Sequence, residues 1–376
     1  MGRKYKVAQN PNWRIEAIGF VLEAMKNRLE MVITNAEAFG KKREELESFF
    51  KPYTVLKEKL KTEIMPIYEK YPILNKIFQM ESKLEKEELD LGIILIIDIE
   101  QRYKGQLTDE NVDRLIENYI QEKINSIEAA DKKIEINSLS NLVSLLEPID
   151  MPDKEKMFYI SLYLNRYEFI REMLEFSKEA EPILKENFYL IQDEYNKSVT
   201  EFNKYESIES LIEKMITLRL NIEAERKVVY TIFPFSSINI RHHNGEMFIT
   251  IGIYMHYFKK WMDEKGFQGA ELVSSLKALA DPTRLSILNK ISIRPMYIQE
   301  LAEELNLTSA TISHHINILL RAQLVNIIVE SDSAKKIYYE INRDKLIEIA
   351  RTIEHLGDER TRGFDFNGKT ASISIS

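Results

Sequence analysis

The sequence contains no cysteine, and this absence removes several kinds of site at once. Without a thiol the chain has no disulfide, no thiolate metal site, no cysteine nucleophile and no cysteine-based redox sensor. Only six histidines remain as nitrogen ligands, and a metal site would need several suitable ligands close together. We therefore expect no bound metal and no other cofactor.

Long apolar runs are also missing. A helix that crosses a bilayer needs about 20 consecutive apolar residues, and the most apolar stretch, Leu91 to Ile97, is much shorter. The basic N-terminus leads into Gln9-Asn10-Pro11-Asn12 rather than into an apolar export segment. We expect a protein that stays in the cytoplasm and has no membrane partner.

Enzyme signatures are absent as well. The chain carries no glycine-rich phosphate loop, no nucleophile elbow and no paired-histidine metal motif. Its many carboxylates follow the polar faces of predicted helices, and His242 and His243 lie beside a predicted turn, where a histidine is usually solvated. We expect no enzymatic activity.

Length and charge point to more than one domain. At 376 residues, with 44% hydrophobic and 30% charged residues, the chain is long enough for two or three globular domains. The net charge of −8 is an awkward property for a nucleic-acid binder, because affinity comes largely from neutralising phosphates. The acid is unevenly spread, however: residues 1–270 carry 39 Lys and Arg against 46 Asp and Glu, whereas residues 271–356 carry 10 against 11.

The first 226 residues predict a helical domain, and the whole chain is expected to be mainly α. Apolar spacing predicts helices over 13–34, 37–50, 53–71, from 108, and over 137–146, 157–177, 181–205 and 207–226. Pro66 is expected to kink or end one of them. Leu91 to Ile97 fits either a buried strand or a helix buried all round, and its charged flanks favour the helix.

Aromatic residues are dense in the last three of these helices. Such a density forms either the core of the bundle or the lining of a cavity for an apolar or peptide ligand, and the pattern alone leaves both open. The residues concerned are Phe158, Tyr159, Tyr163, Tyr167, Phe169, Phe176, Phe188, Tyr189, Tyr195, Phe202 and Tyr205.

From Lys227 the apolar pattern changes to period two. Runs at 228–233, 236–242 and 246–253 predict strands, and Asn244-Gly245 between the last two is typical of a β-hairpin. A helix is predicted over 254–263. We expect 227–264 to complete the N-terminal domain with a small antiparallel sheet, 265–270 to form a linker, 271–356 to form a second domain and 357–376 to form a tail.

Two short helices and a tight turn are predicted near the C-terminus. Leu301, Ala302 and Leu305 give the first helix an apolar stripe, and Thr308 can cap the second. The second helix has an apolar side, predicted to face the core, that consists of Ile312, Ile316, Leu319 and Leu320. The opposite, outward side consists of Ala310, His314, Asn317 and Arg321.

A two-stranded ribbon is predicted directly after the second helix. Leu324 to Glu330 and Lys335 to Asn342 are rich in β-forming residues and are joined by a short polar segment. Helix, turn, helix and ribbon is the order of a winged helix-turn-helix, which places its second helix in the DNA major groove.

These segments resemble the ArsR-type bacterial regulators. The resemblance lies in the stretch from Leu279-Ala280-Asp281-Pro282-Thr283-Arg284 to Leu288, in Leu324-Val325 after the second helix, and in Lys336-Ile337-Tyr338-Tyr339 of the ribbon. It covers roughly 85 residues, under a quarter of the chain. A long ArsR-type regulator with a large N-terminal domain would match the overall order of segments.

The resemblance implies a DNA-binding surface on the second helix and the ribbon. Thr308 and Ser309 would lie near phosphate, the next residues would reach base edges, and the ribbon lysines would touch the backbone. For His315 an internal contact and a phosphate contact remain equally open. The expected DNA-binding residues are Thr308, Ser309, Thr311, Ser313, His314, His315, Asn317, Arg321, Lys335 and Lys336.

The chain departs from such relatives at two places. Tyr297-Ile298-Gln299 stands where metal-sensing relatives have cysteines, and the last predicted helix offers a single histidine, His355, so metal regulation through this domain is not expected. Gln323 stands where relatives usually have the glycine that ends the second helix in a left-handed conformation.

Two functions follow from different classes of protein. The first is a dimeric transcriptional regulator, most simply a repressor, that binds a palindromic operator and whose N-terminal domain receives a small molecule, peptide or protein. The alternative is a protein-interaction scaffold in which the winged helix serves for docking or dimerisation without reading DNA sequence. A packed N-terminal interior with an exposed apolar groove would favour a protein partner, and an aromatic-lined cavity would favour a ligand.

Overall fold

A computed structural model describes residues 5–26, 28–38, 42–84, 91–103, 107–128, 136–202, 218–221, 225–243, 246–257, 269–330 and 337–356. The chain is mainly α with two small sheets, as predicted. Within these ranges, no helix combines the length and the apolar character that a bilayer-spanning segment requires.

The helices and strands are numbered in chain order. The helices are α1 Trp13–Lys26, α2 Arg28–Ala38, α3 Arg43–Phe49, α4 Lys51–Tyr68, α5 Pro72–Ser82, α6 Leu91–Arg102, α7 Asp109–Glu128, α8 Leu139–Leu146, α9 Asp153–Leu164, α10 Arg166–Asn187, α11 Gln192–Phe202, α12 Gly269–Leu279, α13 Pro282–Ile291, α14 Ile298–Leu305, α15 Ser309–Arg321 and α16 Arg343–Leu356. The strands are β1 Tyr5–Val7, β2 Leu218–Asn221, β3 Glu225–Thr231, β4 Ile238–His243, β5 Glu246–Gly252, β6 Val325–Glu330 and β7 Ile337–Ile341.

The chain divides into two compact units. The first contains α1 to α6, most of α7, α8 to α11, and strands β1, β3, β4 and β5; the second contains β2, α12 to α16, β6 and β7. The domain boundaries expected from the sequence remain predictions.

Two helices of the first unit are buried on nearly every side. All residues of α1 from Ile15 to Glu23 are buried, as are seven of the first nine residues of α6 together with Gly92. The helix predicted for Leu91 to Ile97 is therefore confirmed, since a helix that is apolar all round belongs in a core. Gly19 lets α1 approach the backbone closely, because a Cβ there would lie 2.0 Å from the carbonyl oxygen of Phe233.

Buried carboxylates hold several backbone segments of the first unit. Glu16 accepts hydrogen bonds from the N–H groups of Ile232 (2.9 Å) and Phe233 (2.8 Å), and burial raises the pKa of Glu16 to about 8. Glu172 on α10 accepts from Ile73 and Leu74 at 2.8 and 2.7 Å. These two donors belong to the first turn of α5 and have no intrahelical partner, so Glu172 caps α5 from a distant helix.

The sheet of the first unit contains the predicted hairpin. Strands β4 and β5 pair antiparallel, with His243 opposite Glu246, which confirms a two-residue connection at Asn244-Gly245. The strand order is β1-β3-β5-β4, and both β1 and β3 join in parallel, β3 beside β5 and β1 beside β3. Parallel neighbours so far apart in sequence leave no local signal, and β1 was not predicted.

The helix predicted over 207–226 is wrong wherever the structure describes this segment. Leu218–Asn221 forms β2, and Glu225 and Arg226 begin β3. Both strands pair with partners distant in sequence, and such pairing overrides local helix propensity. The predicted break near Glu181 is also wrong, because Pro182 lies inside the continuous helix α10. Pro66 likewise lies inside α4, which ends two residues later at Tyr68.

Several predictions concern residues outside the described ranges. They are the rest of the helix predicted over 254–263, the linker at 265–270 apart from the start of α12, the tail at 357–376, and the ribbon tip with Lys335 and Lys336.

The second unit is the predicted winged helix-turn-helix. Its core is formed by aliphatic side chains of α13, α14 and α15, with Leu324, Val325 and Tyr339 from the ribbon. Strands β6 and β7 pair antiparallel, with Val325 opposite Ile341. Met296 bridges to Tyr339 on the free side of β7, through N–H donors at 3.1 and 2.8 Å.

Candidate nucleic-acid interface

The turn between α14 and α15 has a defined geometry. Asn306 ends α14 in the left-handed region, with φ of 52°. The N–H of Leu307 then donates to the carbonyl of Ala302 at 3.0 Å, and the N–H of Asn306 turns back towards Glu303. This pattern matches a Schellman ending, for which asparagine is the best residue after glycine. The chain is thereby aimed directly into α15.

Thr308 caps α15 as predicted. Its Oγ1 accepts a hydrogen bond from the N–H of Thr311 at 3.1 Å and lies 2.8 Å from the hydroxyl of the same residue. The cap satisfies one of the free N–H groups at the helix start and leaves others pointing outward.

The two sides of α15 are those predicted from its spacing. Ile312, Ile316 and Leu319 are buried, and Leu320 is half-buried. The opposite side forms an exposed stripe along the whole helix, which we call the outward stripe: Ala310, His314, Asn317 and Arg321. Ser309, Thr311 and Ser313 are half-buried beside it, and Thr308 is exposed.

The C-terminal end of α15 shows why glycine is common there. Gln323 adopts φ of 58°, and its N–H and that of Leu324 donate to Leu320 and Leu319, each at 2.9 Å. Leu319 and Leu324 are both fully buried, which supplies the apolar contact of a Schellman motif. The left-handed ending expected from the sequence is confirmed, and a glutamine occupies it.

His315 lies on the flank of α15 and faces inward. Its side chain is 15% exposed, and its Nδ1 lies 3.8 Å from Oδ1 of Asp281. Asp281 is the N-cap of α13: its Oδ1 accepts from the N–H of Arg284 at 2.9 Å. Sequence reasoning used Asp281 and Arg284 only for the family resemblance. The Asp-Pro pair at a helix start was the signal that could have placed Asp281 as a cap.

Positive charge on this side of the second unit is largely balanced by acid. Lys290 pairs with Glu304 at 2.6 Å, and Arg294 pairs with Glu300 at 3.0 Å. The Lys290 ammonium lowers the pKa of Glu304. On α15 itself, Arg321 adds a cation to the outward stripe with no acidic residue in the helix.

The wing sheet has a third strand that sequence reasoning missed. β2 pairs in parallel with β6, from Leu218 opposite Ile327 to Asn221 opposite Glu330, and the strand order is β2-β6-β7. A four-residue strand whose partner lies more than a hundred residues further on leaves no local pattern to detect. The outer edge of the two-stranded ribbon is therefore covered.

Comparison with known proteins places the same segment in a family. The sequence profile of the family described as "Bacterial regulatory protein, arsR family" matches residues 281–326. The transcriptional repressor SdpR of Bacillus subtilis is 36% identical over 66 residues, which are 18% of this chain and 70% of that protein. An HTH-type transcriptional regulator of Methanocaldococcus jannaschii is 34% identical over 94 residues, 25% of this chain and 99% of that protein.

A solved structure shows a similar match. An ArsR-like transcriptional regulator from Rhodococcus sp. RHA1 is 32% identical, covers 23% of this chain and 80% of its own, and superposes with a TM-score of 0.22. The sequence matches cover nearly whole regulators, and they fall on the unit that carries the capped helix and the outward stripe. The chain therefore belongs to the ArsR family of bacterial regulatory proteins, and its winged helix-turn-helix makes it a DNA-binding transcriptional regulator.

Proposed function

We propose that this chain is a sequence-specific, dimeric repressor that uses α15 as its recognition helix. The outward stripe supports this proposal most directly, because it leaves His314 and Asn317 uncovered on a helix whose other side is locked in a core. Asparagine can pair with adenine by two hydrogen bonds, and hydroxyls accept either partner. Thr311, Ser313, His314 and Asn317 read bases in this proposal.

The remaining proposed contacts are to phosphate. Thr308 and Ser309 lie at the start of α15, where free N–H groups favour an anion, and Arg321 lies at its other end. Lys335 and Lys336 would add backbone contacts from the ribbon tip. Because the second unit has almost no net positive charge, we expect modest affinity that falls steeply with salt and that depends on two copies binding together.

Dimerisation has a candidate surface on α12 and α16. These helices contact each other within the second unit and leave aliphatic side chains exposed: Val273, Leu276, Ile347 and Ile353. A two-fold interface there would bury the same side chains of both copies. It would present two α15 helices to successive major grooves, about 34 Å apart.

The first unit is proposed to receive the regulatory signal. Its aromatic residues pack against one another in a dense interior; Phe50, for example, meets Phe235 and Tyr254 edge-on at 5.9 and 5.0 Å. Leu139 and Val143 of α8 and Met157 and Leu164 of α9 are exposed apolar residues. A packed interior with exposed aliphatic side chains supports a protein partner more than an enclosed small ligand.

Selection of DNA tests the function directly. The full chain is incubated with random-sequence duplexes, and the enriched sequences are determined for the wild type and for His314→Ala and Asn317→Ala. We expect the wild type to enrich a palindrome and each variant to lose preference at particular positions. Lys335→Ala is the matched control and should weaken binding to all duplexes alike. Binding without any sequence preference would favour the scaffold alternative.

A further inference from the structure

His315 and Asp281 link α15 to α13. The imidazole is largely covered, and its Nδ1 is buried without a hydrogen-bond partner among the described residues. The nearest charged group given by the structure is the Asp281 carboxylate at 3.8 Å, close enough for charge attraction and slightly too far for a hydrogen bond. His314, the next residue, is exposed and lies with its ring 5.7 Å away. The two neighbouring histidines therefore face different surroundings.

Asp281 is firmly held in its ionised form. Its carboxylate caps α13 through the N–H of Arg284, and this bond is the main reason that its pKa is lowered; the charge of His315 contributes less. A carboxylate fixed by a helix N-terminus cannot follow a moving partner. A change in the position of α15 would therefore change the distance between His315 and Asp281.

Arg284 extends the link to α12. Its Nε donates to the carbonyl of Ala278 at 2.6 Å, and its Nη2 donates to the carbonyl of Lys277 at 2.9 Å. These carbonyls belong to the last turn of α12, which has no intrahelical donors for them. The Nη1 of Arg284 lies 3.8 Å from Asp281, and the guanidinium is 13% exposed. A continuous line of contacts thus runs from α15 through Asp281 and Arg284 to the end of α12.

From this line of contacts we propose that His315 is a positioning residue, which sets the orientation of α15 for the major groove through Asp281, and that it is not a phosphate contact. One ring nitrogen is directed into the protein, so the phosphate reading would have to rely on the other alone. The inference rests on the proposed DNA-binding function and adds that operator affinity depends on α12 through a side chain that does not touch DNA.

A double-mutant cycle combined with a salt titration tests this proposal. The probe is the duplex that the wild-type full chain enriches from random-sequence DNA. Affinity is measured over a range of salt concentrations for His315→Gln, Asp281→Asn and the double variant. Glutamine keeps a polar side chain without a charge, and asparagine retains the capping oxygen for Arg284. Thermal unfolding by circular dichroism shows that each variant is folded at the measuring temperature.

We expect each single variant to bind about tenfold more weakly and the double variant to be no weaker than either, because interacting residues give non-additive effects. The slope of log affinity against log salt should equal that of the wild type, since no phosphate contact is lost. Arg321→Ala is the matched control and should lower that slope by about one.

Two results would overturn the inference while leaving the proposed function intact. One is a slope that falls by about one for His315→Gln, as for the control. The other is a double variant whose loss is the product of the two single losses. Failure of the wild-type chain to enrich any duplex would overturn the proposed function itself, and this inference with it.

Discussion

Replacing Gln323 by glycine should stabilise the second unit. A residue with a Cβ pays about 1–2 kcal/mol in the left-handed region that Gln323 occupies. Glycine avoids this cost but adds about 0.4–1 kcal/mol of chain entropy to the unfolded state. The side chain of Gln323 is exposed, and the carbonyl that accepts from Asn342 at 2.9 Å is unaffected. The net gain should be about 1 kcal/mol.

Urea unfolding followed by circular dichroism measures this gain, and hydrogen exchange of peptides from 309–330 shows whether it arises at the end of α15. Asn306→Gly is the matched comparison, because asparagine tolerates the same conformation better and its replacement should gain less. Gln323→Ala keeps the backbone cost and should change stability by less than about 0.5 kcal/mol. A Gln323→Gly variant no more stable than wild type would refute the assignment of strain to this residue.

Three further changes concern the first unit and are measured by urea unfolding. Because folding raises the pKa of Glu16 from 4.5 to about 8, its stabilisation is complete below pH 4.5 and is lost as the pH rises through 8, by up to about 5 kcal/mol; Glu16→Gln should flatten the stability–pH curve in that window, and an unchanged curve would contradict this. Gly19→Ala should cost about 2 kcal/mol or more, and more than Gly92→Ala, since the added Cβ meets backbone at Gly19 and only side chains at Gly92. Glu172→Ala leaves two N–H groups of α5 without their acceptor and should cost about 1–3 kcal/mol; a loss below about 0.5 kcal/mol would show that water replaces the cap.

The recognition helix could be predicted closely because every signal for it is local. The spacing of Ile312, Ile316 and Leu319, the cap at Thr308 and the left-handed ending at Gln323 all lie within 16 residues of chain. Each is a property of one helix and its two ends, and helix periodicity and capping express such properties directly in the sequence.

The strands that were missed depend on distant partners. β1 pairs with β3, and β2 pairs with β6, across more than a hundred residues each. Short parallel strands carry little periodicity, so segment 207–226 was interpreted from its helix-forming residues. The environment of His315 was undetermined for a similar reason: Asp281 lies 34 positions earlier, and only the packing of α13 against α15 brings the two side chains together.

The strand β2 makes the DNA-binding unit discontinuous along the chain. A C-terminal fragment begun at α12 would contain the whole segment matched by the family and would still lack this strand. The bare N–H and C=O groups of β6 would then be open to strands of other molecules, which is a common route to aggregation. A shortened protein for operator studies therefore has to carry residues 218–221, either by retaining the intervening segment or by fusing this strand to the fragment.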